Sequence, residues 1–401
     1  MSIRFIKKVM RRLNQSLPDG LVSPCYLWPF QTQEIRLRRQ IWWASKHAKI
    51  PRPIWLVFQL IYWLRWVLFE GWVNTFKVVK FYHAKVTQHY NVSYGEQLRR
   101  CLWGAIGWSI LPNDLYTYQI IQTRGSLFEF IYTNEVIGWH ALQNRAHPNA
   151  RAGQKLLGDK HTFAQVMRDK GFRVVQECTH PTPQDLRSFS EQFQPDQGAV
   201  FCKLNKGNQA LHAFAAYWID GDLRGHLQTG QALNSAADVD AAWDRLISHG
   251  SPIVQPCLRN HPQIAPISNS NRIANLRVIT RENRIGAANI ALYSSDEIGD
   301  TFWMDIDPKA GHPFLPSSMY PQHHPKLIQL QTFAQNAPKT IPYWDQICAD
   351  SLRAHGQEFD LWAIAWDWAV TPEGPILLEG NAGWGLHDWQ LQNGGLSVQA
   401  E

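Results

Sequence analysis

The sequence predicts an α+β protein: a mainly helical first part, then alternating helices and strands that close on a β-hairpin. Three observations lead there. Residues 31–125 are rich in Trp and Tyr and read as mostly helical. From residue 158 onward, capped helical stretches alternate with short apolar runs. The last two apolar runs, AWDWAV at 365–370 and ILLEGNAGW at 376–384, flank TPEGP, whose Pro372, Gly374 and Pro375 suit a tight turn.

Taken in order, residues 1–50 form a basic arm with a loop around Pro18–Pro29. Residues 1–150 make up a basic, aromatic-rich helical domain, and 151–395 a second domain entered near 145–158. Asp159 caps a helix over 160–169, with Gly171 beyond its last turn. A strand over 172–177 follows, then a helix over 183–193 capped by Thr182 and a strand over 199–204. Strands 211–219 and 223–228 form a hairpin, and a helix over 236–248 ends at Gly250. Strands 252–258, 274–281 and 285–293 come next, then an irregular segment, a helix near 342–354 and the final hairpin.

That hairpin carries chemistry. Strand alternation points Glu379 and Asn381 to one face, and the turn brings Asp367 beside them. Two carboxylates and an amide oxygen are hard ligands suited to Mg²⁺. A single strand aspartate is more ordinarily an edge residue or a hydrogen-bonded core carboxylate. Upstream, Lys160 opens the helix after Asp159, where its charge opposes the helix dipole unless an anion is near. Lys203 interrupts the apolar run VFCKL and needs a partner, which a bound phosphate would supply. Taken singly, either lysine is more ordinarily a solvated or snorkelling side chain.

The order of these segments resembles the ATP-grasp superfamily of carboxylate–amine ligases, and within it the sugar-transfer-associated ATP-grasp family. The matching stretches are GDKHTF (158–163), VFCKL (200–204), IVQPCLRNHP (253–262), IANLRVIT (273–280), KTIPYWD (339–345) and IAWDWAVTPEGPILLEGNAGW (364–384). The resemblance implies an ATP-grasp fold, two α+β lobes clasping ATP, over residues 151–395. It implies that Lys160 and Lys203 hold the ATP phosphates and that Gln255 reads the adenine amino group. The backbone of Pro256, Cys257 and Leu258 would line the adenine slot. Asn275 and Arg277 match an Asn-Thr-Leu-Arg signature, here Asn-Leu-Arg after Ala274. Asp367, Glu379 and Asn381 match the Mg²⁺ ligands. The segment YSSDEIGDTFW (293–303) replaces a glycine-rich stretch and is expected to shape an acceptor or phosphate lid.

Charge is unevenly placed. Residues 1–100 hold 17 Lys+Arg against 4 Asp+Glu, a net +13, within a chain whose net charge is +6. The basic part seeks an anionic surface; the acidic remainder suits a metal-using enzyme. Residues 3–13 segregate Ile3, Ile6, Val9, Met10 and Leu13 from Arg4, Lys7, Lys8, Arg11 and Arg12, an interfacial-helix pattern. A mitochondrial transit peptide shares that composition. The run 54–69 is apolar nearly all round, yet short for a membrane span and interrupted by Gln59 and Arg65. It is either a buried core helix or a membrane-contacting one. The chain has 19 Trp, mostly core material, with Trp384 and Trp389 as candidates for stacking on sugar. Six scattered cysteines with no C-x-x-C pair point to a reducing cytosol without a disulfide framework or zinc site. No P-loop or dinucleotide-binding glycine motif is present. No nucleic-acid motif accompanies the basic arm, so nucleic acid is not the expected partner.

The resemblance therefore implies an ATP- and Mg²⁺-dependent ligase that activates a carboxylate as an acyl phosphate for attack by an amine. Arg277 and Lys203 would be its catalytic cations. One substrate would be a sugar or glycan precursor in bacterial surface polysaccharide biosynthesis. The expected location is cytoplasmic, peripheral on the inner face of the membrane. The rival expectation is a non-catalytic, membrane- or glycan-binding scaffold with a degenerate ATP-grasp fold.

Overall fold

The structure is a computed structural model that describes residues 32–46, 50–179, 199–206, 212–219, 221–267, 272–281, 283–293, 301–315 and 327–397, with Ser23, Tyr26, Pro181, Thr182, Leu186, Ser188 and Phe189 besides. The expected amphipathic segment 3–13 lies outside these, as do most of the helix 183–193 and of the segment 293–303. The α+β architecture holds: a helical N-terminal region and two antiparallel sheets with helices. The chain divides into two compact units. One comprises Met1–His147, Pro316–Gln329 and Gly383–Glu401; the other comprises Pro148–Leu315 and Leu330–Ala382.

The first unit is built on a long helical run. Arg52–Arg65 continues through a π turn, Trp66–Glu70, into Gly71–Tyr90. One edge is buried: Trp55, Gln59, Tyr62 and Trp66, then Thr75, Val79 and Val86. The π turn resets the helix phase so that both halves turn the same edge inward. There Trp66 Nε1 donates to the Ala105 carbonyl at 2.7 Å. A Cβ on Gly71 would stand 2.7 Å from Ile106, so this close approach needs glycine. The helix stops at Asn91, in the left-handed conformation at φ 53°. The next helix, Tyr94–Leu102, is capped by Ser93, whose Oγ accepts from the Glu96 N–H. Helix Gln33–Ala44 buries Arg38, which is tolerated because Glu135 and the Phe130 carbonyl bind its guanidinium. The core-helix reading of 54–69 does not hold. Val57, Leu60, Leu64, Leu68 and Phe69 are exposed, because that helix packs one narrow edge only. Trp384 and Trp389 are buried in this unit and unavailable for stacking on a ligand.

The second unit holds both sheets. The strands in chain order are β1 (Cys178–Thr179), β2 (Ala199–Leu204), β3 (Phe214–Ile219), β4 (Asp222–Leu227), β5 (Ala232–Leu233), β6 (Pro252–Pro256), β7 (Asn275–Arg281), β8 (Arg284–Tyr293), β9 (Thr301–Ile306), β10 (Pro313–Phe314), β11 (Ala363–Thr371) and β12 (Gly374–Asn381). The first sheet has the order β1-β6-β2-β3-β4-β5, the second β10-β9-β8-β7-β11-β12. In the first, Val200, Cys202 and Val254 pack against Val239, Trp243 and Leu246 of helix Ala236–His249. Ser235 and Asp238 cap that helix reciprocally. In the second sheet, Trp366 and Trp368 turn to the packing face. Their indole N–H groups donate to Thr280 at 2.9 Å and to Ser351 at 3.0 Å. Strand 172–177 does not form. Val174 makes a single bridge to Leu377 on β12, and only Cys178–Thr179 joins the first sheet. The segment passes from one sheet to the other, which leaves it too few residues to pair along either. Helix Leu327–Asn336 and strand β9 are elements that the sequence reading did not anticipate.

Candidate functional site

The turn after β11 is tight. Thr371 pairs with Gly374, whose φ of 120° favours glycine, and Thr371 Oγ1 donates to the Gly374 carbonyl at 2.7 Å. This turn fixes the register as far as Trp368 opposite Leu377; a β-bulge at Leu378 then shifts it by one residue, so that Asp367 stands opposite Glu379. On the other side, Asp367 stands opposite Arg277 of β7. The row continues: Arg277 faces Asn289 of β8, and Asn289 faces Asp305 of β9. Five polar residues thus cross five strands in one line, on one face. Alanines at 365, 369, 287 and 291 flank the row on that face. Trp366 and Trp368 go to the opposite face, while Trp303 shares this one, its ring 5.6 Å from the Arg277 guanidinium carbon.

Asp367 is only 3% exposed. Arg277 binds it through two hydrogen bonds, Nε to Oδ1 at 2.8 Å and Nη2 to Oδ2 at 3.0 Å. Asn381 Nδ2 donates to Asp367 Oδ2 at 2.9 Å and, at 3.5 Å, to Glu379 Oε1. Burial raises the Asp367 carboxyl above its usual range, against the pull of Arg277. Desolvation works on Glu379 too, but the charges of Lys203 and Lys160 outweigh it and hold Glu379 below its ordinary value. Lys160 Nζ lies 3.7 Å from Glu379 Oε2. Loss of hydration lowers the Lys203 ammonium, while Glu379 works to raise it.

The lysines converge for a local reason. Asp159 caps helix Lys160–Asp169 by accepting from the Thr162 N–H at 3.2 Å. Asn205, just past β2, accepts from the His161 N–H at 2.9 Å and donates to Asp159 Oδ1 at 3.2 Å. The helix start is therefore tied to the strand that carries Lys203. On β2, Lys203 shares a face with Phe201, which stands opposite Gln255 of β6. That face is turned away from the Val200–Cys202 core.

Gln255 is buried, with Nε2 at 3.5 Å from Glu177 Oε2. Glu177 in turn contacts His161 Nδ1 at 2.5 Å. Beyond Pro256 at the end of β6, the Cys257 N–H is committed to the Ala199 carbonyl at 3.0 Å. Leu258 packs on Val175, Ala369 and Ile376. An adenine edge on this segment would therefore meet carbonyls rather than the Cys257 amide. Asn275 hydrogen-bonds Asp367 through its side chain, yet its Oδ1 has no partner.

Sequence reasoning passed over Asn205, Glu177, Asn289 and Asp305. Asn289 is fully buried, and neither of its side-chain polar atoms has a partner. The signal was a lone amide in GAANIALY, a run otherwise apolar and small. Asn289 and the Asn275 Oδ1 therefore keep hydrogen-bonding capacity beside Arg277.

The donor set fits a hard divalent cation. Among the described residues no group of three or more His, Cys, Asp and Glu forms a metal cluster. Asp367, Glu379 and Asn381 instead offer two carboxylates and one amide, which suits Mg²⁺ completed by phosphate and water. Turning the Asn381 amide about its last bond would present Oδ1 in place of Nδ2.

No family profile matches this chain, and no curated protein matches it either. Solved structures that it is similar to include the ATP-grasp ligase PsnB complexed with a minimal precursor, at 15% identity and a TM-score of 0.36, over 63% of this chain and 62% of that one. Another is the D-alanine–D-alanine ligase from Coxiella burnetii, at 11% and 0.32, over 56% of this chain and 48% of that one. A third is a RimK domain ATP-grasp protein from Sphaerobacter thermophilus, at 8% and 0.33, over 60% and 68%. The chain spans less than two thirds of the length of the first two. At these TM-scores the likenesses assign no activity.

Proposed function

We propose that the protein is an ATP-dependent ligase that joins a carboxylate to an amine. One observation carries the reading: the row Arg277–Asp367–Glu379 with Asn381, met by Lys160 and Lys203 from a neighbouring helix and sheet. Two ammonium groups and a guanidinium beside two carboxylates make a site that attracts phosphate and divalent metal together. Lys160 and Lys203 would clamp the phosphates of ATP. Asp367, Glu379 and Asn381 would hold Mg²⁺, which when bound neutralises charge on the transferred phosphoryl group. Arg277, fixed by Asp367, would stabilise the same charge from the protein side. The carboxylate oxygen attacks the γ-phosphorus, ADP leaves, and the amine then displaces phosphate from the acyl phosphate. A glycan-precursor substrate, as the sequence resemblance implies, is the finer part of the proposal.

The test has two arms. Titration calorimetry should show ATP binding that requires Mg²⁺. With a panel of carboxylates, sugar acids included, hydroxylamine should trap a hydroxamate and release ADP and phosphate. Asp367→Asn should abolish turnover with the fold unchanged by circular dichroism. Release of AMP and pyrophosphate would replace the acyl-phosphate route by adenylation. Absence of ATP binding would overturn the reading and favour the non-catalytic scaffold.

A further inference from the structure

The structure exposes an apolar face too large for an ordinary surface helix. The run Arg52–Tyr90 is 39 residues, and its most apolar stretch has a mean hydropathy of 1.2 with 28% of it buried. At 1.5 Å per residue it is about 58 Å long. Before the π turn, Ile54, Val57, Leu60, Ile61 and Leu64 lie opposite the buried edge of Trp55, Gln59, Tyr62 and Trp66. The stripe goes on through Leu68 and Phe69 within the π turn and Trp72, Val73 and Phe76 beyond it, with Leu68, Phe69 and Val73 at 63%, 69% and 65% exposure. Isolated exposed apolar residues need no explanation; a contiguous stripe over six turns does.

Charge identifies the occupant. The run holds Arg52, Arg65, Lys77, Lys80 and Lys85 against a single acid, Glu70. Arg65 pairs with Glu70 at 2.7 Å, so the acid adds no net negative patch. Lys77 and Lys80 are exposed where the apolar stripe gives way to charge. A second copy of the chain would set one basic surface, part of the +13 of residues 1–100, against another. An anionic bilayer meets both features: acyl chains for the stripe and phosphates for the lysines. Orientation follows from the buried edge. Trp55, Tyr62, Trp66, Val79 and Val86 hold the run to its own unit along its length. A helix so attached lies in the plane of the interface rather than crossing it.

We propose that the exposed face of Arg52–Tyr90 is a monotopic docking surface for an anionic lipid bilayer. It is independent of the ligase reading, since no residue assigned to ATP or Mg²⁺ lies on it. The test is co-sedimentation of the full chain with vesicles of phosphatidylglycerol and phosphatidylcholine, beside pure phosphatidylcholine. Binding should be strong on the anionic vesicles at about 0.05 M salt and should weaken by about 0.5 M as the attraction is screened. Leu68→Gln/Phe69→Gln/Val73→Gln, all at exposed positions, should lower partition more than about tenfold. Lys77→Gln/Lys80→Gln should lower it on anionic vesicles only. Both variants should retain wild-type circular dichroism and wild-type ATP affinity, which separates this surface from the nucleotide site. The proposal is overturned if the apolar variant binds as wild type, or if the full chain ignores anionic vesicles. It is equally overturned if sedimentation shows a dimer that the apolar variant dissolves, for the face would then join two copies.

Discussion

Asp367 and Arg277 are joined by two hydrogen bonds in the candidate site, and the burial of Asp367 sets what substitution should do. Replacing Arg277 by Leu leaves a desolvated carboxylate without its guanidinium. Breaking a buried pair from one side costs about 3–5 kcal/mol, while removing both partners costs far less. Arg277→Leu should therefore lower unfolding free energy in urea by about 3 kcal/mol, and Arg277→Leu/Asp367→Leu should recover much of it. A single-variant loss below about 1 kcal/mol would show that Asp367 finds other support. Lys203 poses the complementary case. Burial lowers its ammonium, and the Glu379 charge that opposes this also faces Lys160. Under the ligase reading, Lys203→Met should weaken ATP binding by roughly 2–3 kcal/mol, the worth of a charged hydrogen bond. An unchanged dissociation constant in calorimetry would give Lys203 a structural role only.

Among the elements, the start of helix Lys160–Asp169 has the most to lose. Asp159 caps it, accepts from Asn205, and pairs with Lys206 at 2.9 Å. Loss of an N-cap costs about 1 kcal/mol. Asp159→Ala should lower Tm by a few degrees and, under the ligase reading, raise the KM for ATP, because the helix start positions Lys160. Asp159→Asn keeps a capping oxygen and should restore Tm most of the way. If Asp159→Ala leaves both Tm and KM alone, Asn205 alone secures the helix to β2. The polar row illustrates a related lesson. AWDWAV announces its alternation, but only β7, β8 and β9 laid beside it in register show Asn289 and Asp305 as members of one line. A one-residue slip in any strand would send its member to the opposite face.

For the whole molecule, pH dependence has one well-placed reporter in the first unit. His140 is buried, and its Nε2–H donates to the Trp384 carbonyl at 2.8 Å. Burial pushes its pKa down to about 4, against the pull of that carbonyl. The folded group is thus neutral where the unfolded one, near 6.5, begins to take a proton. The unfolded state binds more protons as pH falls from 6.5 towards 4, so stability is lost across that window. The slope is about 1.4 kcal/mol per pH unit, or roughly 2 kcal/mol between pH 7 and pH 5. His140→Gln keeps an N–H donor without the titration. Urea unfolding of both proteins at pH 7 and pH 5 should show the wild type losing about that much more. Equal losses would mean that His140 is protonated in the folded state.

The sequence by itself determined what depends on neighbours along the chain. Asp159 as a cap, the helix it starts, and the TPEGP turn with its hairpin were legible, because capping and turn residues act over a few positions; the bulge that carries Glu379 and Asn381 to the face of Asp367 was not. The tertiary structure decided what depends on register and on which face is covered. It set Arg277, Asn289 and Asp305 in line with Asp367, and it tied Asn205 to the helix that carries Lys160. It buried Trp384 and Trp389, left 172–177 with a single bridge, and exposed the apolar stripe of Arg52–Tyr90. Periodicity tells that a helix is apolar all round; only packing tells which edge the protein keeps and which it leaves for another surface.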